Sequence, residues 1–236
     1  MTRVLAFLNS SIGRKVVMAV TGAFLLLFVL GHMAGNLQIY LGPEALDRYA
    51  VFLREFGHGG GIWVARAVIL AAVLGHLWGA LMTTLESWRA RPVGYKGWRS
   101  AGDASTLSSR TMRWTGVVIL VFVLYHLAHL TLGAHFANPG FRDGQVFHNV
   151  VVGFRQMGSS AFYIVAMIAL GLHMYHGGWS LFQTLGISHP RYNRLRLGFA
   201  AVVAVVVVLV NVSFPISVLM EIVKEAPQAA AAWLGR

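Results

Sequence analysis

Ten histidines stand in a chain of 236 residues that holds no cysteine. Four of them, His32, His76, His126 and His173, lie well inside apolar stretches, on four successive ones. An ionisable side chain at membrane depth is costly to place and marks function by default. Neutral imidazole is a common ligand for transition metals, and it can also accept or donate a proton. The plain alternative for any one of them is a hydrogen-bonded packing residue. Repetition on four successive stretches favours ligation. With no thiol, the chain itself cannot form a disulfide, a thiolate zinc site, a Cys-ligated iron–sulfur cluster or a Cys nucleophile.

The elements that must position these rings are long and apolar. Hydrophobic residues make up 57% of the chain and charged residues 11%, against roughly 25% charged in a soluble domain. Mean hydropathy is +0.65. A helix needs ~20 apolar residues to cross a bilayer. Five stretches qualify, at about 16–41, 62–85, 114–136, 160–185 and 197–220. The expected fold is therefore all-α, an integral membrane protein of five transmembrane helices. It forms a single domain over 1–236, with the first four helices making the ligand-binding bundle. Arg3, Arg14 and Lys15 before the first stretch resemble a signal-peptide n-region. The apolar run that follows is too long for one, and an uncleaved helix is favoured.

The net charge of +11 would suggest nucleic acid in a soluble protein. In a five-span chain it reads as loop charge, and no nucleic-acid partner is expected. Lys and Arg divide 12 to 7 between the two sides, which puts the N-terminus in the cytoplasm and the C-terminus outside. The segment from Glu86 to Arg113, with Trp88, Tyr95 and Trp98 among its bases, is the best candidate for docking a soluble partner.

Depth sorts the four histidines into pairs. His32 lies ~24 Å from the inner edge of the first span and His126 ~18 Å into the third. His76 and His173 lie ~20 Å from the outer edge of the second and fourth. In a ~30 Å hydrocarbon layer, His32 should face His126 toward the outside, and His76 should face His173 toward the cytoplasm. Two stacked bis-histidine sites of this kind are the geometry of two b-type haems. Glycines support it: Gly31-His32-Met33-Ala34-Gly35 and Gly75-His76-Leu77-Trp78-Gly79 share a pattern, and Gly171, Gly177 and Gly178 surround His173. They give either clearance for a flat macrocycle or ordinary small-residue helix packing. His129 and His176 lie three residues after His126 and His173, on a shared face, and either could replace its neighbour as ligand. His58, His135, His148 and His189 fall at span ends or in loops.

The chain resembles the membrane-anchoring cytochrome b subunit of succinate dehydrogenase or fumarate reductase, of the single-chain, five-helix, dihaem type. The resemblance rests on Ser11-Ile12-Gly13-Arg14-Lys15 and the first helix through Gly31-His32, on Leu74-Gly75-His76, and on Arg113-Trp114-Thr115-Gly116 leading to Tyr125-His126. It continues in Phe162-Tyr163-Ile164-Val165 leading to Leu172-His173 and Gly178-Trp179-Ser180. It implies two haem b groups, one held by His76 and His173 nearer the cytoplasm, the other by His32 and His126 nearer the outside. It also selects His126 over His129, since the ligand follows a Thr-Gly start and an aromatic. His173 is selected over His176, since the ligand precedes Gly-Trp-Ser by five residues. Further implications are a flavoprotein and an iron–sulfur subunit on the cytoplasmic face, a quinone acceptor, typically menaquinone, and the cytoplasmic membrane of a prokaryote.

Quinone-site residues are not legible. Glu55 is either a proton relay or, as favoured, a surface carboxylate. Arg14, Lys15, Arg66 and Arg113 are unassigned candidates for anionic haem side chains. Two other readings remain. One is the dihaem cytochrome b of another quinone-linked respiratory enzyme, disfavoured by the one-per-helix pattern. The other is a haem-free transporter or scaffold, which should show broken helices or inverted repeats.

Overall fold

The structure, a computed structural model, describes residues 3–90, 107–187 and 189–225. Among them every regular element is helical. A bilayer offers backbone groups no water, so each apolar run must satisfy its own N–H and C=O groups as a helix. A short α1 (Arg3–Leu8) leads into α2 (Ser11–Asn36). Ser10 caps α2 by accepting from the Gly13 amide at 3.0 Å. A Cβ at Gly13 would lie 2.0 Å from the Phe7 carbonyl oxygen, so the α1–α2 corner closes only with glycine there. The chain continues through a 3-10 turn, Leu37–Leu41. It then forms α3 (Pro43–Glu55), α4 (Gly60–Arg89), α5 (Leu107–His126), α6 (Val146–Arg155), α7 (Met157–Thr184) and α8 (Asn193–Leu219).

Five segments are long and apolar enough to cross a membrane: Ser11–Leu41, Gly60–Arg89, Leu107–Thr131, Met157–Thr184 and Pro190–Leu219. Each overlaps one of the five expected spans. The third differs most. It ends at Thr131, not Phe136, because α5 passes into a π-helical turn, Leu127–Thr131. Gly133 then takes φ +60 beneath the Phe141 ring. Two helices were expected as loop. In α3, Pro43 stands in the first turn, and Leu46 is its buried contact. In α6, Phe147, Val151 and Phe154 are buried on one face. The Asp47 carboxylate of α3 accepts from the Phe147 amide at 2.9 Å, supplying a cap to the otherwise open N-terminus of α6.

α7 is the central helix, packed against α8, α5 and α2, while α4 packs against α2 and α3. Lipid gives helices no hydrophobic drive to associate, so close approach through small residues matters. Gly171 meets Val208, and Gly178 meets Ala200, where α7 crosses α8. Gly75 meets Thr21, and Gly79 meets Met18 and the Arg14 carbonyl, where α4 crosses α2. An Arg14–Glu86 ion pair ties the same two helices at their ends. At the other end of the bundle, α3 and α6 cover a core of Ile39, Leu46, Phe147, Val151, Phe154, Tyr163 and Phe214. In the expected docking segment Trp88 is exposed. Tyr95 and Trp98 lie outside the described residues, as do Arg91, Lys96, Arg99 and Arg236.

The α2–α4 contact is testable at Gly79. A methyl there would sit 2.9 Å from Met18 Cβ and 3.1 Å from backbone oxygen, so Gly79→Ala should cost about 1–3 kcal/mol by overpacking. Thermal unfolding in detergent reads this out. An unchanged midpoint means that the two helices do not approach this closely.

Candidate functional site: two transmembrane histidine pairs

The structure brings the four intramembrane histidines together two by two. His32 of α2 and His126 of α5 have ring centroids 5.8 Å apart. His76 of α4 and His173 of α7 are 6.2 Å apart. The two pairs sit at different levels. On α2, Met18 and Gly22 touch His76, and His32 lies ten residues beyond Gly22. On α5, Gly116 touches His173 and His126 lies ten residues beyond it. On α7, Tyr163 touches His126 and His173 lies ten residues beyond it. Three helices thus give the same offset, ~15 Å along the bundle.

Hydrogen bonds fix which nitrogen each ring can offer. His76 Nδ1 lies 3.1 Å from the Met18 carbonyl. A carbonyl only accepts, so Nδ1 carries the proton and Nε2 keeps its lone pair. His173 Nδ1 lies 3.3 Å from Thr115 Oγ1. That hydroxyl gives its own proton to the Thr111 or Met112 carbonyl, so it accepts from His173, and Nε2 is again free. In both rings one nitrogen donates to a partner on a neighbouring helix and the other keeps its lone pair, an arrangement compatible with metal ligation. His32 lies over the Phe28 ring, 5.6 Å away at 13°.

Tyr163 serves the other level. Its hydroxyl is 3.1 Å from His126 Nδ1 and 2.9 Å from His129 Nδ1. One hydroxyl has one proton to give, so at least one of the two rings donates its Nδ1–H to the oxygen.

The neighbouring histidines have further partners of their own. His129 shares the Tyr163 hydroxyl with His126 and is fully buried, with Nε2 against Gly153 of α6, where a Cβ would lie 2.4 Å away. His176 packs edge-on against Trp179 at 5.3 Å. Unlike His129, His32 is exposed, and His76, His126, His173 and also His176 are half-buried, so the four paired rings retain surface that a bound group can reach. Among the described residues no three His, Cys, Asp or Glu side chains converge as a metal cluster. Two imidazoles make a strong site only for a metal that brings equatorial ligands of its own, as a tetrapyrrole does. Two metal–nitrogen bonds of ~2 Å each, plus the ring radii, place such centroids about 6 Å apart. The donor set therefore fits haem iron.

Most glycines of the G-H-x-x-G pattern prove to be helix-packing residues. Gly35 faces the Tyr49 ring, and Gly75 and Gly79 face α2. Gly31 alone opens on free space. The glycines that border the paired imidazoles are Gly22, where a Cβ would lie 3.1 Å from the His76 ring, and Gly116, where a Cβ would lie 3.6 Å from the His173 ring. Sequence reading assigned no role to these two, nor to Met18, and none to Thr115 or Tyr163 beyond the resemblance. The available signal was a small or hydroxyl residue ten to eleven positions from a histidine on the same helix.

The remaining candidates are spoken for or exposed. His148 joins α6 to Glu225 and to the Gly140 carbonyl. His58, His135, His189 and Glu55 are exposed. Arg14 is held by Glu86, Arg113 by Ser87 and the Trp88 face, and Arg66 lies over Trp63. Lys15 is exposed.

Tyr163→Phe removes the shared hydroxyl and leaves both Nδ1 atoms without their partner. It should cost about 1–3 kcal/mol of stability, measurable as a lowered unfolding midpoint in detergent. A variant as stable as the parent would refute the shared hydrogen bond.

No protein-family model, no curated protein and no solved structure matches this chain.

Proposed function

We propose that the chain is a dihaem cytochrome b, the membrane anchor of a succinate:quinone oxidoreductase. One observation carries the reading. Four helices each contribute one imidazole, and these meet as two pairs at a separation that suits a six-coordinate iron, 5.8 and 6.2 Å between centroids. In this reading His76 and His173 hold one haem, and His32 and His126 hold the other. When bound, the haems supply one-electron transfer between the two sides of the membrane.

The chain's own residues do the positioning. The Met18 carbonyl and Thr115 hold the Nδ1 protons of His76 and His173 and so aim Nε2 at the ligand position. Tyr163 does the same for His126. Donation from Nδ1 raises the basicity of the ligating nitrogen. The apolar helices around each pair keep water from the rings and lower the local dielectric.

The assignment to succinate:quinone chemistry draws on the motif resemblance. It places an iron–sulfur subunit and a flavoprotein on the cytoplasmic, basic face, with menaquinone as the acceptor in the bilayer. The lack of cysteine assigns the iron–sulfur chemistry to a partner. The N-terminus then lies in the cytoplasm of a prokaryote, and α3 and α6 cover the outer face. The segment from Glu86 to Arg113 serves the docking.

Reduction of the purified protein with dithionite, after expression with ample haem, should give b-type absorption. His76→Ala and His173→Ala should each remove one spectral component. His32→Ala and His126→Ala should each remove the other, and His129→Ala should keep both. Absence of b-type absorption overturns the proposal. Loss of one component in His129→Ala with both kept in His126→Ala moves the ligand by one turn.

A further inference from the structure

The end of the bundle that carries the α7–α8 connection holds a cation without a counter-ion. Arg196, in the first turn of α8, is 8% exposed. One guanidinium nitrogen reaches the Ile187 carbonyl at 3.5 Å, a second reaches Asn193 Oδ1, and Nε is buried without a partner. No carboxylate pairs with Arg196 among the described residues. Glu86, the one described acid at this end, is taken by Arg14, and the others lie on α3, near α6 or after α8. A buried charge with only neutral partners is strongly destabilised unless an anion completes it.

The structure provides a place for that anion. Arg196 lines an open cleft of about 520 Å³ together with Phe182, Ile187, Leu195 and Phe199, and with His189 and Tyr192. The walls are mainly apolar. Lys15, Arg191 and Arg194 stand exposed at the same end. Arginine suits phosphate because its planar fork offers parallel donors. Basic pockets between helix ends, at headgroup level, take anionic lipid headgroups.

The cleft is separate from the histidine pairs. Phe182 lies nine residues after His173, two and a half helical turns, and so on the opposite face of α7. Gly171 and Gly178 occupy that same far face, against α8. An anionic group held near His173 is therefore screened from Arg196 by the body of α7.

We propose that an anionic phospholipid occupies this cleft, its phosphate on Arg196 and an acyl chain along Phe182, Ile187, Leu195 and Phe199. The lipid neutralises Arg196 and seals the α7–α8 corner. The inference does not depend on the haem reading.

Native mass spectrometry of the full-length protein in detergent, titrated separately with phosphatidylglycerol, phosphatidylcholine and inorganic phosphate, tests it. One phosphatidylglycerol per chain should bind roughly five- to tenfold more tightly than phosphatidylcholine, and Arg196→Gln should abolish the preference. Equal binding of the two lipids, or a preference retained in Arg196→Gln, overturns the proposal. Occupancy by inorganic phosphate alone overturns it too and assigns the site to a free anion. Should Arg196→Gln not fold, photo-crosslinking of the parent protein with a diazirine phosphatidylglycerol decides. Adducts within 182–199, competed by phosphatidylglycerol and not by phosphatidylcholine, support the site. Adducts spread over the apolar belt contradict it.

Discussion

Every imidazole placed inside a bilayer brings two polar nitrogens that water cannot reach, and the bundle is arranged around that requirement. For His76 and His173 the Nδ1 problem is solved by a neighbouring helix: the Met18 carbonyl on α2 and Thr115 on α5. For His126 and His129 one tyrosine on α7 serves both. The contacts of His76 and His173 settle their tautomer and leave Nε2 as a free lone pair. The second nitrogen then needs a partner of its own, and under the proposed function that partner is a haem iron between the paired rings.

Helix packing follows from the same need. α2 must come close to α4 for the Met18 carbonyl to reach His76, and Gly75 and Gly79 permit it. α5 must lie close to α7 for Thr115 and Tyr163 to act, and Gly116 leaves room for the His173 ring. α7 is central because it carries His173, Tyr163 and the contact with α8. Its glycines at 171 and 178 let α8 pack behind the site, where the charge on Arg196 presents a separate requirement for an anion.

The spans and the pairing of the histidines were legible in the sequence. Apolar length fixes the number of crossings, and a rise of 1.5 Å per residue converts position into depth. What was not legible depends on lateral arrangement. The two amphipathic helices α3 and α6 are shorter than a span and are stabilised by tertiary contact, including the Asp47 cap that comes from another helix. The end of α5 was set too late because Leu132 and Phe136 extend the apolar run, whereas a π-helical turn and the left-handed Gly133 end the helix. The role of the glycines beside His32 and His76 was ambiguous between macrocycle clearance and helix contact. Gly35, Gly75 and Gly79 turn out to serve helix contact. His126 and His129 share a face on a regular helix, and both reach the Tyr163 hydroxyl across the start of the π turn, which periodicity alone does not reveal.

The proposed function requires two bis-histidine haem sites stacked within this single chain. The haem-to-polypeptide ratio of the purified, fully loaded protein is the direct test, with haem measured as its pyridine adduct and protein by amino-acid analysis. Two haem b per chain are expected. A ratio of one or zero would contradict the proposal.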